Sequence, residues 1–547
     1  MNMASPVRLT AVCCIAVLLS CSAPNEPRLR SAIEASRPPN VLYIMADDLG
    51  FSDIAPFGGE INTPTLQWLA AEGTLFTNYH TAIKCNPTRA MLHTGMDNNL
   101  GASGSRVDYQ LAANTATLPE ILVAAGVHTY IAGKWDNGSD PGEFPFNRGY
   151  ERSFTMLGGA GTHYPPLGGI DPESGVSTYT ADSGYTDLPA DFYSTITYTD
   201  KLISFIEANR ASGKPFFAFA AYTAPHYPMQ APPEYIERNR GVYDVGYQVI
   251  RERRLQRIAE LGLFGRSHTP WQDPELRDWD SLPEAEKAFE ARRMEIYAGM
   301  VELLDEQIAR LLAYLDAIGE LDNTLVIFSS DNGADGTASG AGFDPGLYDN
   351  SLQNIGTSSS FVTVGSDWAR VSSTPLRLIK TFSTEGGTRV PAIARWPGHI
   401  PAGAVNNQWF QVMDILPTVL EVMEIEAPGR EFAGRTILPL QGRSAVPLLT
   451  ASDPVYGAQD FVFHTYVEPR LGGSYVKQGD WKLAWWKTDR AFGELQLFNV
   501  AQDPAETTDL SARYPERVEA LWQAWLEYAQ RSNIDLTEAA PQAVLQR

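Results

Sequence analysis

Cysteine is scarce in this chain: four occur in 547 residues, and Cys13, Cys14 and Cys21 crowd the N-terminus, leaving Cys85 alone in the body. That excludes a disulfide framework, so a lone thiol in a chain with an export-type leader calls for a chemical reason. Positive charge is also short. Lys and Arg number 42 against 65 Asp and Glu, a formal net charge of −23, which argues against nucleic acid as a partner because phosphate binding needs clustered basic side chains. Long apolar runs are absent beyond the leader, and no later segment approaches the roughly 20 residues a spanning helix needs. No repeat of solenoid period and no low-complexity tract is present.

The leader itself has Arg8, an apolar run from Leu9 to Leu19 and then small residues, the pattern of a secretory signal over residues 1–21. Leu18-Leu19-Ser20-Cys21 resembles a bacterial lipoprotein cleavage box. Export is therefore expected, to the periplasm or to the outer membrane through a lipid anchor at Cys21, with residues 22–39 as a leader or tether.

Val41 to Ala46 is continuously apolar, as a strand buried on both faces should be, and it ends abruptly in Asp47-Asp48. The pattern recurs. Thr129 to Gly133 runs into Lys134-Trp135-Asp136, Phe216 to Ala220 leads through a turn to His226, and Thr324 to Phe328 ends at Asp331-Asn332-Gly333. Helical patterns lie between, at Thr65–Glu72, Leu118–Ala125, Tyr198–Ala208 and Ala285–Ile318. Alternation of this kind predicts an α/β fold on a mostly parallel sheet sandwiched by helices. Such sheets bind ligands outside the carboxyl ends of their strands, so the four polar strand ends should converge on one crevice.

The Gly- and Ser-rich stretch Ala334–Ser373 reads as a surface loop beside that crevice. With Tyr164–Pro189 and Glu234–Leu282 it should shape substrate access; Tyr164, Tyr227 and Trp368 are candidates to stack on a ring and equally candidates for loop packing. The catalytic domain is expected to span residues 40–450. From about 451 to 547 short strands and a helix at Pro515–Arg531 predict a small antiparallel sheet with one helix, ending in a tail after Ser532.

The most telling stretch is Cys85-Asn86-Pro87-Thr88-Arg89. Asn86 reads as an N-cap and Pro87 as first-turn proline, which puts Cys85 at a helix start where anions are favoured by about 0.3–1 kcal/mol. Arg89, four residues on, can aim its donors at whatever Cys85 holds. Asp47, Asp48 and Asp331 add three carboxylates and Asn332 an amide. Two unit charges about 4 Å apart repel by roughly 4 kcal/mol at an effective dielectric near 20, so the cluster wants a cation, and an all-oxygen set selects calcium or magnesium over zinc.

Cys-x-Pro-x-Arg before a helix ending in glycine resembles the signature of the type I sulfatases, in the alkaline-phosphatase-like superfamily. The resemblance implies that Cys85 is oxidised to formylglycine by a separate formylglycine-generating enzyme, and that Asp47, Asp48, residue 85, Asp331 and Asn332 ligate one divalent cation, usually calcium. Arg89 resembles the residue that anchors the formylglycine; Lys134, His226 and Lys380 resemble the cations that grip the sulfate and serve the leaving oxygen. Glu385-Gly386-Gly387-Thr388-Arg389 looks most like the bacterial arylsulfatase branch. One position departs: Asp136 stands where the family usually has histidine.

The function implied is hydrolysis of aryl or glycan sulfate monoesters through a gem-diol nucleophile and a sulfated enzyme. Two alternatives stand beside it, a phosphonate monoester hydrolase or phosphodiesterase of the same superfamily and a noncatalytic sulfoglycan-binding lipoprotein.

Overall fold

The strand Asn40–Ala46 is buried at all seven positions, and its alternating side chains feed two apolar layers. Leu42, Ile44 and Ala46 join Met294, Met300, Leu304 and Ile308 of the helix Glu284–Ala317. Val41, Tyr43 and Met45 join Ala90, Met91 and Leu92 of the helix Cys85–Thr94 on the opposite face. A strand covered on both faces cannot show polar alternation, which is why its sequence is a solid apolar block. The computed structural model describes Met1 and residues 38–545, apart from 104–108, 168–177, 265–268, 339–346 and 489–490. Cys21, the signal pattern after Met1 and the tether up to residue 37 lie outside the described residues.

Asn40–Ala46 pairs in parallel with Thr324–Ser330 on one side and Phe216–Ala221 on the other. His128–Lys134 and Arg152–Met156 continue the parallel set, and two short antiparallel strands, Tyr179–Ala181 and Gly184–Tyr185, finish that edge. Beyond Thr324–Ser330 the strand Arg389–Arg395 runs antiparallel, followed by Thr74–His80, which also pairs Ala404–Asn406 and Phe410–Gln411. The result is an eleven-stranded mixed sheet. Its helices start on local signals: Leu118–Ala124 opens with a capping box in which Thr117 and Glu120 satisfy each other's backbone N–H groups.

A second, five-stranded antiparallel sheet is built from Phe461–Val467, Gly472–Gln478, Trp481–Thr488, Ala491–Phe492 and Gln496–Asn499. The helix Pro515–Arg531 covers it with Leu521, Trp522 and Trp525 against Trp485 and Leu497. Residues 38–547 make one compact unit, tied together by buried charges. Lys482 Nζ, on the small sheet, lies 2.8 Å from Glu385 Oε1 in the short helix that leads into Arg389–Arg395, and 3.0 Å from Glu506 Oε1 in the loop after Gln496–Asn499.

Four expectations need correction. The helix at Cys85 begins two residues earlier than a cap at Asn86 would place it, with Lys84 at the N-cap, so Asn86 is its second residue and does not cap it. The stretch Ala334–Ser373 is no surface loop in its second half: Ile355, Val362, Val364, Trp368 and Val371 lie in the core, and Ser366–Ser372 is a helix. Trp368 is fully buried with its indole N–H on Glu290 O, and cannot stack on a substrate. The tail is also anchored, because Leu536–Ala539 forms a helical turn whose Ala539 O accepts the Trp485 indole N–H at 2.9 Å.

One buried histidine gives the fold an acid limit. His464, on Phe461–Val467, has neither ring nitrogen hydrogen-bonded among the described residues, and burial, then Lys482, lowers its pKa to about 3. An unfolded histidine takes a proton near pH 6.5, so the stabilisation from a neutral His464 is complete above that pH and is lost as pH falls toward 3. The slope is about 1.4 kcal/mol per pH unit per such group. Replacing His464 with Phe is expected to flatten the decline of Tm between pH 6.5 and 4.5 in thermal unfolding; an unchanged slope would contradict a neutral buried imidazole.

Candidate active site

Four strand ends deliver the polar residues to one crevice. Asn40–Ala46 ends in Asp47 and Asp48, Thr324–Ser330 in Asp331 and Asn332, His128–Lys134 in Lys134 itself, and Phe216–Ala221 leads to His226. The helix Cys85–Thr94 points its first residue at them, and Thr88 fixes that end by accepting from Ala82 N at 3.0 Å and donating to Asp331 O at 2.7 Å. Local backbone does the aiming. Asp48 sits in the left-handed region at φ 65°, an unfavourable choice for a non-glycine residue that turns its carboxylate back over the site. Gly133, at φ 125°, brings its backbone so close to the next strand that a Cβ would lie 1.8 Å from Ala221 O; only glycine can precede Lys134 here.

Cys85 Sγ lies 3.3 Å from Asp47 Oδ1 and 3.8 Å from Asp48 Oδ1. Arg89 Nη2 donates to Asp47 Oδ2 at 3.2 Å and Asp331 Oδ2 at 2.9 Å, and its Nη1 to Lys134 O at 3.1 Å. Lys134 Nζ is 2.8 Å from Asp47 Oδ2 and 3.7 Å from Asp136 Oδ2. Lys380 Nζ is 2.6 Å from Asp48 Oδ1 and 3.0 Å from Asp335 Oδ2. His226 Nε2 stands 3.3 Å from Asp48 Oδ2, while its Nδ1 is 2.7 Å from Tyr227 O. A carbonyl only accepts, so Nδ1 carries a hydrogen and Nε2 is the atom that faces the site.

The electrostatics follow from burial against charge. Burial raises the Asp47 carboxyl, but Lys134, His226, Arg89 and Lys380 together outweigh it and hold it well below the usual range. For Asp48 burial wins over Lys380 and His226 and pushes the carboxyl up to about 6. Burial, with Asp331 and Asp47 beside it, pushes the Cys85 thiol well above its ordinary value, so unmodified Cys85 is a neutral thiol and a poor nucleophile.

The donor set fits a hard cation. Five carboxylates, Asp47, Asp48, Asp136, Asp331 and Asp335, face three permanent cations, Arg89, Lys134 and Lys380, leaving two negative charges uncompensated. Asp48 Oδ2 and Asn332 Oδ1 are buried without hydrogen-bond partners among the described residues, which is the state expected of oxygens meant for a metal. Ligand atoms of Asp47, Asp48, Cys85 and His226 all lie within 4.8 Å of one another. Asp331 is differently engaged: its Oδ1 accepts Asp48 N at 3.1 Å and its Oδ2 accepts Arg89. Asn332 Nδ2 donates to Asp48 Oδ1 at 2.6 Å.

Asp335 is the residue that sequence reasoning passed over. Its signal was faint, a fourth acidic side chain four residues past Asp331 at the head of a Gly- and Ser-rich stretch, where turn chemistry is the ordinary explanation. The Gly386-Gly387 pair also has a structural reason. Gly333 N donates to Gly387 O at 3.1 Å, and a Cβ on Gly333 would meet Gly386 O at 1.9 Å, so the turn carrying Asp331 and Asn332 needs this close backbone approach.

Residues 39–425 match the Sulfatase family model, and residues 378–529 match the model described as N-sulphoglucosamine sulphohydrolase, C-terminal. An uncharacterized sulfatase of Schizosaccharomyces pombe is 38% identical over 529 residues, covering 91% of this chain and 95% of the relative. The arylsulfatase of Klebsiella aerogenes is 36% identical over 427 residues, covering 74% and 91%. Among solved structures, BT4656 in complex with its substrate D-glucosamine-2-N,6-O-disulfate has the same fold, with a TM-score of 0.62 at 21% identity, covering 91% of this chain and 97% of that one. With the family model matched over most of its length, and relatives more than one third identical, the chain belongs to the type I sulfatase family and is a sulfuric ester hydrolase.

Proposed function

We propose that this sulfatase cleaves aryl or glycan sulfate monoesters with an aldehyde made from Cys85 by a formylglycine-generating enzyme. The observation that carries the reading is the placement of Cys85 Sγ within 4 Å of Asp47 and Asp48, the two carboxylates that also hold Lys134, Lys380 and His226. Sγ marks where the oxygen of the modified residue would stand. A hydrated aldehyde carries two hydroxyls: one loses its proton and its oxygen bonds to sulfur as the ester S–O bond breaks, and the departing oxygen takes up a proton to leave as the alcohol. The other hydroxyl then gives up its proton, its oxygen becomes the carbonyl again, and the C–O bond to sulfate breaks.

Asp47, Asp48, Asp331 and Asn332 would hold a divalent cation, most simply Ca2+ with Mg2+ as the alternative, and when bound it acidifies a neighbouring hydroxyl and offsets negative charge. Arg89 has all its assigned bonds inside the protein, so it fixes Asp47, Asp331 and the Lys134 backbone in place. Lys134 and Lys380 supply positive charge to the sulfate oxygens, where charge develops in a site shielded from water. His226 Nε2 is the atom positioned to hold a proton for the departing oxygen. Asp136 reaches Lys134 at 3.7 Å, and if it has a base role, Asp136→His and Asp136→Asn should change rate or pH profile; turnover indistinguishable from wild type in both would remove it from the chemistry.

Export through the leader, with or without a lipid on Cys21, is the setting we propose for such an enzyme. The discriminating assay runs aryl sulfate and aryl phosphonate esters in parallel on matured protein. A higher kcat/KM on the sulfate is expected. Preference for phosphorus would shift the reading to a phosphonate monoester hydrolase, and inactivity on both with an intact thiol would favour a sulfoglycan binder.

A further inference from the structure

Lys380 is held by two carboxylates that differ in what else they do. Asp48 Oδ1, 2.6 Å from Nζ, also accepts Asn332 Nδ2 at 2.6 Å and faces Cys85 Sγ at 3.8 Å. It belongs to the group whose ligand atoms cluster for a cation. Asp335 does not. Its Oδ1 accepts Thr337 N at 2.6 Å, which fixes the side chain and leaves Oδ2 aimed at Nζ from 3.0 Å.

An ammonium and a dication cannot both keep the same oxygen at short range. Whatever cation takes Asp48 both competes for its lone pairs and repels Nζ. Lys380 then needs a second anion that stays out of the cation set but remains within reach. We propose that Asp335 is that anchor: a positioning residue that takes over Lys380 when Asp48 turns to the cation, keeping the ammonium on the sulfate side of the site. Lys134 has a looser counterpart, 2.8 Å from Asp47 but 3.7 Å from Asp136; the Lys380 pair is the tighter of the two. The inference rests on the cation reading above and extends it to a residue outside the ligand set.

The test is a double-mutant cycle read first without substrate. Ca2+ and, separately, Mg2+ are titrated calorimetrically into wild type, Asp335→Asn, Asp335→Glu, Lys380→Met and the Asp335→Asn/Lys380→Met double variant, with thermal unfolding confirming that each is folded. With Asp335 neutral, Lys380 stays on Asp48 and must be displaced, so the cation Kd should rise about tenfold, in the range seen for residues that support ligands. Asp335→Glu should restore it. In the Lys380→Met background the same Asp335→Asn change should have little effect. Aryl sulfate kcat/KM should fall in Asp335→Asn and recover in Asp335→Glu. If wild type binds the cation and Asp335→Asn binds it equally well, or if the loss is the same with and without Lys380, the anchor is wrong while the cation site stands. A wild-type protein that takes up neither cation overturns both.

Discussion

Serine in place of Cys85, in protein made without any maturation enzyme, is expected to turn the catalyst into a single-use reagent. A lone hydroxyl at this position can still attack sulfur, because Lys134, Lys380 and His226 remain around it, and the alcohol can still leave. What it lacks is the second hydroxyl whose proton loss re-forms a carbonyl and expels sulfate, so the sulfate ester on residue 85 persists. One equivalent of phenol per chain, a mass increase of one sulfate on residue 85, and a steady-state kcat lower by about three orders of magnitude or more are the expected outcome. Turnover within tenfold of the matured wild type would mean that the aldehyde is not what releases sulfate.

The second large effect is on stability. Arg89 is a fully buried guanidinium whose donors go to two fully buried carboxylates and to the Lys134 carbonyl. Replacing it with methionine keeps much of the packing but leaves Asp47 and Asp331 facing each other without their shared cation. Breaking a buried pair from one side costs about 3–5 kcal/mol, a large fraction of a typical domain's total stability. Arg89→Met should therefore lose about that much in urea unfolding and also lose turnover. Arg89→Lys should recover part of the stability, because one ammonium restores charge but cannot reproduce the fork of bonds. A loss below about 1 kcal/mol would mean that the two carboxylates are neutralised some other way.

Much of this was legible in the sequence for a definite reason. The parallel strands are covered on both faces, so Val41–Ala46 and Thr324–Phe328 read as apolar blocks, and the abrupt change to Asp47-Asp48 and Asp331-Asn332 marks their carboxyl ends. The helix Pro515–Arg531 was equally plain, opening on proline with an apolar stripe at helical spacing. The sequence also reads as a strand at Val390–Trp396, which the structure places at Arg389–Arg395, but its antiparallel direction was not legible, because direction is set by the path of the connecting chain.

What stayed hidden was long-range packing. The stretch from Ala334 to Ser373 is rich in glycine and serine, yet a few apolar side chains, Ile355, Val362 and Trp368 among them, enter the core from a segment whose composition reads as loop, and its one helix, Ser366–Ser372, is only seven residues long. Ala539 and Ala540 carry too little apolar surface to announce that the C-terminal segment docks on Trp485. Within the site, Asp335 gains its meaning only from Lys380, which lies 45 residues away in sequence and 3.0 Å away in space. Asp136 was visible, and its 3.7 Å approach to Lys134 fits a carboxylate neutralised by that ammonium better than a free anion opposing sulfate.

The most direct test is the mass of the peptide containing residue 85, taken from protein that is turning over an aryl sulfate, with hydroxylamine trapping to mark a carbonyl. The account predicts an aldehyde in place of the thiol, in a fraction of chains that tracks specific activity across preparations. Full activity in a preparation whose Cys85 is entirely unmodified would contradict it.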